Sequence, residues 1–427
     1  MPDPGVTQPD DPSFPAEKSA SPGEAMFLAI ASGVGLSIAA FLVMMSLNSG
    51  WLFGPNSRRY APDFVVFWSA GHQALRGAAI AAYDFHTQHA LEVSIIGREF
   101  GRALPWSYPP IFFFVASILA CMPYLTAFAA WNGACLILQG GTFASIVRSR
   151  LGFFAAWAPP WVFLNVINGQ NGLLTASLFG IVLVNLETRP IVSGLVLGLL
   201  SYKPQFALLF PLALAAGGYW RTFAAAAAST IVLTASSAVI FGPETFGAFL
   251  DGLSHGTKDY LVSNGIGWNK LQSMYGLARW LGASNGIAWI MQCGMAACAA
   301  LAVIQVWRSE VSTNLKAATL AVATLLVSPY VLIYDLAVAS VAIAFLMRDR
   351  FFDRLELVAL VFCLPAIMGY SYPIGLLALV ALSAIIVGRV VRKEHRLSPV
   401  EGEPSWLQMR KTGLPLVRQA GSRNASV

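Results

Sequence analysis

Thirteen apolar segments, each about 13 to 24 residues long, constrain the fold of this chain more than any other feature. Of its 427 residues, 56% are hydrophobic and only 11% are charged, against about 25% charged in a typical soluble domain. Lipid must therefore solvate most of the surface, and in lipid every backbone N–H and C=O needs an internal partner. Because the segments lack the alternation of barrel strands, we expect an all-α, polytopic membrane protein. The segments are residues 26–47, 110–122, 124–147, 152–167, 170–186, 190–202, 204–218, 221–242, 284–307, 315–328, 331–347, 355–370 and 373–391.

The basic residues mostly lie in short turns at alternate ends of these segments. A formal net charge of +6 would suggest nucleic-acid binding in a soluble protein. Here the positive-inside bias explains the basic residues, and we expect no nucleic-acid partner. The five cysteines lie inside apolar segments without CxxC or Cys/His ligand spacing, so we expect them to pack as small hydrophobic side chains.

The chain divides into three regions by composition. Residues 1–25 hold six prolines and five acidic residues and are predicted to form a disordered cytoplasmic leader. Residues 26–391 form the transmembrane domain, and residues 392–427 form a basic cytoplasmic tail. The first apolar segment has no small-residue cleavage site after it, so we expect an anchor helix and not a signal peptide.

The segment 110–122 is too short for a full crossing and is bracketed by prolines. We interpret it as a half-span or re-entrant segment. About twelve transmembrane helices then remain, with both termini inside the cell. This arrangement turns the long first loop and the polar turns described below toward the extracytoplasmic face of the inner membrane.

The first loop, Asn48 to Tyr108, is the most polar stretch between the spans. Within it, Phe64 to Ala82 has an apolar stripe beside polar positions that include Ser69 and Gln73. This pattern predicts interfacial helices lying on the membrane surface.

Asp63 follows Pro62 near the start of that stretch. It has two interpretations, an N-cap of the helix that follows or a carboxylate that takes a proton from a hydroxyl group at the membrane surface.

Lys203 lies between two long apolar segments and precedes Pro204. A cation there is costly unless it is paired or solvated, and a helix broken by proline needs a wet or protein-lined cavity. A phosphate is a natural partner for such a lysine. Asp335 begins another apolar segment, and it either pairs with Lys203 or binds substrate.

Three further polar positions belong to the same outward side. Tyr108 precedes two prolines at the start of the short segment, and the turn at Gln170 and Asn171 carries amides suited to sugar hydroxyls. The sequence has no nucleotide-binding glycine loop, nucleophile elbow, metalloprotease motif or DxD-type acidic pair. We therefore expect neither a nucleotide-sugar donor, nor a metal, nor a cofactor.

These pieces, in this order, resemble the polyprenyl-phosphate-dependent glycosyltransferases of family 87, which include mycobacterial α-1,2-mannosyltransferases. The resemblance covers about residues 26–391. It rests on the loop of Asp63, Gly77 and Tyr83-Asp84, and on Tyr108-Pro109-Pro110, Gly169-Gln170-Asn171, Lys203-Pro204, Asn269, Gln272-Ser273, Gly276 and Ser328-Pro329.

The resemblance implies a GT-C-type bundle whose catalytic aspartate lies in the first extracytoplasmic loop, which makes Asp63 the catalytic base. It also implies a polyprenyl-phosphate donor, commonly of mannose, and a lipid or glycan acceptor. Lys203 is then the donor phosphate-binding residue. The expected substrate-binding residues are Tyr108, Gln170, Asn171, Gln272, Ser273, Tyr334 and Asp335. One departure is Tyr334-Asp335, where many relatives carry a histidine.

The leading hypothesis is inverting transfer of a sugar by a hexosyltransferase at the extracytoplasmic surface. Two alternatives are a multi-span transporter, which also uses broken helices and a buried charge, and an O-antigen ligase or polymerase. The sequence shows no second copy of the Asp63 loop or of the Lys203-Pro204 break, and its largest loop follows the first span. Both observations favour the glycosyltransferase.

Overall fold

The computed structural model describes residues 21–48, 63–97, 99–100, 104–257, 261–265 and 267–397. Within these ranges the chain is helical and contains no strand, as the apolar segments predict. The α-helices are α1 (Pro22–Asn48), α2 (Phe64–Leu75), α3 (Phe85–Ile96), α4 (Phe113–Ala120), α5 (Tyr124–Val147), α6 (Leu151–Ala155), α7 (Pro160–Asn168), α8 (Gly172–Asn185), α9 (Pro190–Leu199), α10 (Pro204–Ala207), α11 (Phe210–Gly217), α12 (Trp220–Phe241), α13 (Glu244–Thr257), α14 (Met274–Trp280), α15 (Asn285–Arg308), α16 (Thr313–Val327), α17 (Ala337–Asp349), α18 (Arg354–Val361) and α19 (Gly375–Leu397).

Prolines divide several of the predicted segments into shorter helices. The segment 152–167 becomes α6 and α7, because Pro159 and Pro160 start a new helix. The segment 204–218 becomes α10 and α11, with Pro211 in the first turn of the second helix. Many of the helices are therefore too short to cross a bilayer unbent.

Four helices are long and apolar enough to cross a membrane, namely α1, α12, α15 and α19. A fifth candidate is the pair of helices Pro110–Ala120 and Tyr124–Val147, with a bend of 118° between them. The part of the chain that the structure describes thus has four clear spans or up to five, and the expected count of twelve is not confirmed. The shorter apolar helices α8, α9 and α16 lie among these long ones.

The short helices form the core and the long ones surround it. Ten of the 15 residues of α16 and ten of the 13 residues of α17 are buried, and these two helices pack against each other. The indole N–H of Trp161 donates to Ser340 Oγ on α17 at 2.8 Å, which ties α7 to this core. By contrast, α1, α12 and α15 leave most of their apolar residues at least partly exposed, as lipid-facing helices do.

Different charged residues lie near the two ends of α17. At its carboxyl end, Arg389 of α19 is 2% exposed and forms ion pairs with Glu356 and Asp349. Arg350 and Lys393 pair with the same two acidic residues. The amino end follows a 3₁₀ turn that contains Asp335. A helix of 13 residues spans about 20 Å, so the basic cluster and Asp335 lie on opposite sides of the bundle.

Residues on both sides of the short segment before α5 lie near Asp63. Tyr108 and Pro109, just before it, line the same cavity as Asp63. After the bend, Tyr124 packs against Phe64, the residue that follows Asp63.

The predicted interfacial helix is packed inside the protein and not laid on its surface. Its polar positions Ser69 and Gln73 are buried, and both bond to the amide of Gln88 on α3. On another face, a Cβ atom on Gly71 would lie 1.9 Å from the carbonyl oxygen of Ala116 on α4. The expectation of a water-facing side fails for Ser69 and Gln73, which bond to another helix, whereas His72 is partly exposed and Arg76 is exposed.

The predicted region boundaries differ slightly from the helix ends. Helix α1 begins at Pro22, four residues before the first apolar segment, and α19 continues past residue 391 to Leu397. Most of the predicted leader and tail, residues 1–20 and 398–427, lies outside the described residues.

Candidate functional site

A cavity of about 870 Å³ opens where the broken helices meet. Polar walls come from the start of α2, from the turn between α7 and α8, and from the 3₁₀ turns before α10 and α17. Apolar walls come from α13, from α15 and from the segment 104–109. The polar and ionisable lining residues include Asp63, Tyr108, Asn168, Gln170, Tyr202, Lys203, Gln205, Lys270, Ser328, Tyr330, Tyr334, Asp335 and Tyr370.

Asp63 lies at the start of α2 but does not cap it with its side chain. Its carboxylate Oδ2 instead accepts a 2.6 Å hydrogen bond from Gln170 Nε2. Gln170 reaches this position because Gly169 adopts a left-handed conformation, with φ of +62°, at the end of α7. A Cβ atom there would lie 2.6 Å from Cβ of Phe64, so a glycine is required.

Burial raises the pKa of Asp63 above its ordinary value, because the charged form loses contact with water. The hydrogen bond from Gln170 and the nearby charge of Lys270 act in the opposite direction. The result is a carboxylate with increased proton affinity that is still partly open to a cavity. Such a group can accept a proton from a bound hydroxyl group.

Lys203 ends the 3₁₀ turn after α9 and precedes the proline that starts α10. Its ammonium Nζ donates to Asp335 Oδ1 at 2.5 Å and to Asn171 Oδ1 at 3.0 Å. The other oxygen of Asp335 accepts from the backbone N–H of Leu332 at 2.9 Å. Of the two interpretations of Asp335, the structure therefore shows the ion pair with Lys203.

The ion pair lies in the cavity wall and is almost completely buried. Lys203 is 6% exposed and Asp335 is 1% exposed, yet both line the cavity. An ammonium group has three N–H donors, so one remains for a ligand after the two bonds to protein. The charge of Lys203 is already balanced by Asp335.

Two aromatic residues from the predicted set also line the cavity. Tyr108 packs its ring on Phe112 and is held through its carbonyl by a 2.8 Å bond from the Tyr83 hydroxyl. Tyr334 is held through its carbonyl by Asn165, with Nδ2 of that amide at 2.9 Å. The ring of Tyr334 lies 5.9 Å from the Lys203 ammonium, at the long end of a cation–π contact.

Asn171, Gln272 and Ser273 are buried behind the cavity wall and do not line it. Gln272 donates to the carbonyl of Gly369 at 2.7 Å and accepts from the N–H of Gly375 at 2.7 Å. Ser273 caps α14 and donates to the carbonyl of Pro329 at 2.7 Å. Protein groups already occupy polar atoms of Gln272 and Ser273, whereas Nδ2 of Asn171 has no hydrogen-bond partner among the described residues. The expected substrate contact of these three residues stays a prediction.

The prediction from sequence missed two ionisable residues. Lys270 lines the cavity, and its sequence context offered no reason to single it out among the basic residues of its loop. Glu92 on α3 is 0% exposed, and burial raises its pKa to about 8. Glu92 accepts from Gln88, which also bonds to Ser69 on α2, so it belongs to the polar layer behind α2.

Among the residues that the structure describes, no group of three or more His, Cys, Asp or Glu side chains is arranged to hold a metal ion. The acidic and basic side chains among the described lining residues of the cavity are two carboxylates and two ammonium groups.

Comparison with known proteins shows which family the chain matches. The sequence profile of glycosyltransferase family 87 matches residues 106–329, which is more than half of the chain. The match contains Tyr108, Gln170, Lys203, Lys270 and the Ser328-Pro329 step. No functionally curated protein and no solved structure matches the chain.

Proposed function

Because this chain belongs to glycosyltransferase family 87 and is a membrane glycosyltransferase, we propose that it transfers a sugar from a polyprenyl phosphate to a hydroxyl group of a lipid or glycan. The expected sugar is mannose. Family membership favours this transfer over the transporter and over the O-antigen ligase or polymerase.

The observation that carries the proposal is the composition of the cavity. A carboxylate with raised proton affinity, Asp63, shares this cavity with a buried ammonium group, Lys203, and with apolar walls. A lipid-linked sugar phosphate has the same three parts, namely hydroxyl groups, a phosphate and a hydrocarbon chain. Phe249, Leu253 and Leu261 offer an apolar wall to that chain.

The proposed reaction is a single displacement with inversion at the anomeric carbon. Asp63 takes the proton from the acceptor hydroxyl as its oxygen forms a bond to that carbon. The bond between the anomeric carbon and the phosphate oxygen breaks, and the pair of electrons leaves with the phosphate. Gln170 orients the carboxylate, and the remaining N–H of Lys203 donates to the departing phosphate, whose charge increases.

The position of the charges supports an extracytoplasmic site in the inner membrane. Lys316 at the start of α16, Arg308 at the end of α15 and Arg389 of α19 lie toward one end of the bundle. Ser328 at the other end of α16 and Trp289 near the start of α15 line the cavity. By the positive-inside bias, the cavity then faces away from the cytoplasm.

The test is an assay with purified protein in lipid nanodiscs. We expect incubation with polyprenyl-phosphate mannose and a membrane lipid extract to yield a new glycolipid, detected by mass spectrometry as an added hexose. A nucleotide sugar in place of the lipid donor should yield none. Absence of product from every polyprenyl-phosphate sugar, with accumulation of unmodified substrate in proteoliposomes, would overturn the proposal in favour of a transporter.

A further inference from the structure

The cavity contains a second lysine that the proposed mechanism does not use. We propose that Lys270 is the residue whose positive charge holds the phosphate of the lipid donor. This inference rests on the proposed function, because it assumes that a polyprenyl phosphate enters the cavity. In this proposal Lys270, in the loop between α13 and α14, supplies the main electrostatic attraction for the phosphate in place of Lys203.

A count of charges in the cavity shows why Lys203 is insufficient. The ionisable acidic and basic residues among its described lining are Asp63, Asp335, Lys203 and Lys270. Lys203 and Asp335 form a neutral pair. Without Lys270, an incoming phosphate would meet the negative charge of Asp63 and, among the described lining residues, no unbalanced positive charge. Like charges in a site shielded from water repel strongly, so binding needs another cation.

Lys270 is available to fill this role. Within the described part of the chain its ammonium group has no ion-pair partner, although it lines the cavity. It lies near enough to Asp63 for its charge to lower the pKa of that carboxyl group. A phosphate bound by Lys270 therefore lies near the carboxylate that receives the acceptor proton.

The turn that carries Lys270 is held firmly by its neighbours. Trp268–Lys270 form a 3₁₀ turn that starts after Gly267. The Asn269 amide donates to the carbonyl of Tyr370 at 3.0 Å, and the Gln272 amide donates to the carbonyl of Lys270 itself at 2.9 Å. These bonds restrain the backbone on both sides of the lysine, which reduces the entropy cost of fixing its ammonium group against a ligand.

The proposed role of Lys270 also gives a function to two residues that do not line the cavity. Asn269 and Gln272 belong to the set on which the family resemblance rests, yet both bond to protein and Gln272 lies behind the wall. Their hydrogen bonds anchor the turn of Lys270. They are positioning residues for the cation.

The experiment measures binding of a polyprenyl phosphate that carries no sugar, without acceptor, to the full-length protein in nanodiscs. The matched ligand control is the corresponding uncharged polyprenol. We expect Lys270→Gln to weaken binding of the phosphate by about tenfold or more, as for loss of a hydrogen bond between charged groups, and to leave polyprenol binding unchanged. Lys270→Arg should retain most of the affinity, and Lys316→Gln, at the opposite end of the bundle, should retain all of it.

The outcomes separate this inference from the proposed function. If the wild-type protein binds polyprenyl phosphate and Lys270→Gln binds it equally well, the inference alone is overturned. If the wild-type protein binds no polyprenyl phosphate, the proposed function is overturned and the inference with it.

Lys270 could bind the phosphate, or it could act only by lowering the pKa of Asp63. The pH profile of sugar transfer, measured together with phosphate binding, distinguishes these two roles. Loss of the lysine charge raises the pKa of Asp63, so the acid limb of the profile should move to higher pH in Lys270→Gln. That shift together with weaker phosphate binding supports the inference. The same shift with unchanged phosphate affinity would overturn it, because Lys270 would then act on the carboxylate alone.

Discussion

Two opposing influences set the proton affinity of Asp63. Burial raises its pKa, and the hydrogen bond from Gln170 Nε2 at 2.6 Å lowers it. A base must be ionised before it can accept a proton, so activity falls as the pH decreases through the pKa of this carboxyl group. Because that pKa is raised, the acid limb of the profile should lie above the range of an ordinary aspartate.

Replacement of Gln170 by alanine tests this balance. The substitution removes a bond to the ionised form, so the pKa of Asp63 should increase further, and the acid limb of kcat/KM should move to higher pH. The measurement is the rate of glycolipid formation across a pH series that brackets the acid limb. Gln305→Ala, on an exposed position of α15, is the control and should leave the profile unchanged. An acid limb that stays in place or moves to lower pH in Gln170→Ala would contradict the assignment.

Close packing between helices positions the site at the scale of the elements. Helix α2 carries Asp63 at its start and packs against α4 through Gly71, where an added Cβ would lie 1.9 Å from the carbonyl oxygen of Ala116. Backbone oxygen cannot move aside as a flexible side chain does. The contact therefore fixes the distance between α4 and α2, the helix whose first residues line the cavity.

Gly71→Ala should lower stability and activity together. The added methyl group must separate α2 from α4, at a cost of roughly 1–3 kcal/mol. The matched control is Gly133→Ala on α5, where an added Cβ meets nothing within 4 Å and where alanine favours the helix. Thermal unfolding in detergent should show a lower midpoint for Gly71→Ala and an equal or higher midpoint for Gly133→Ala. Equal midpoints for the two variants would contradict the packing argument.

The sequence predicts where the helices begin and end better than it predicts what their side chains contact. Apolar length predicts helices, and prolines predict where they break, because both act on the local backbone. The amphipathic pattern of α2 does not reveal whether its polar side meets water or protein. Ser69 and Gln73 meet the amide of Gln88, which lies 19 and 15 residues away from them in the chain, and local periodicity carries no information about such a partner.

At the scale of the whole molecule, the site depends on contacts between distant parts of the chain. Asp63 bonds to Gln170 across 107 residues, and Lys203 pairs with Asp335 across 132 residues. The sequence identified all four positions as polar residues on one side of the bundle, and Lys203 also as a cation between two apolar segments. Which of them pair depends on how the helices pack, so the balanced charge of Lys203 and the role of Lys270 emerge only from the structure.

The proposed sugar transfer depends on Asp63 acting as the base. Its most direct test compares the wild-type protein with Asp63→Asn in the same nanodisc preparation, which keeps the shape of the side chain and removes its charge. We predict that Asp63→Asn still binds polyprenyl phosphate but forms glycolipid from polyprenyl-phosphate sugar at least about a hundredfold more slowly, as expected for loss of general base catalysis. A folded Asp63→Asn protein that transfers sugar at the wild-type rate would contradict it.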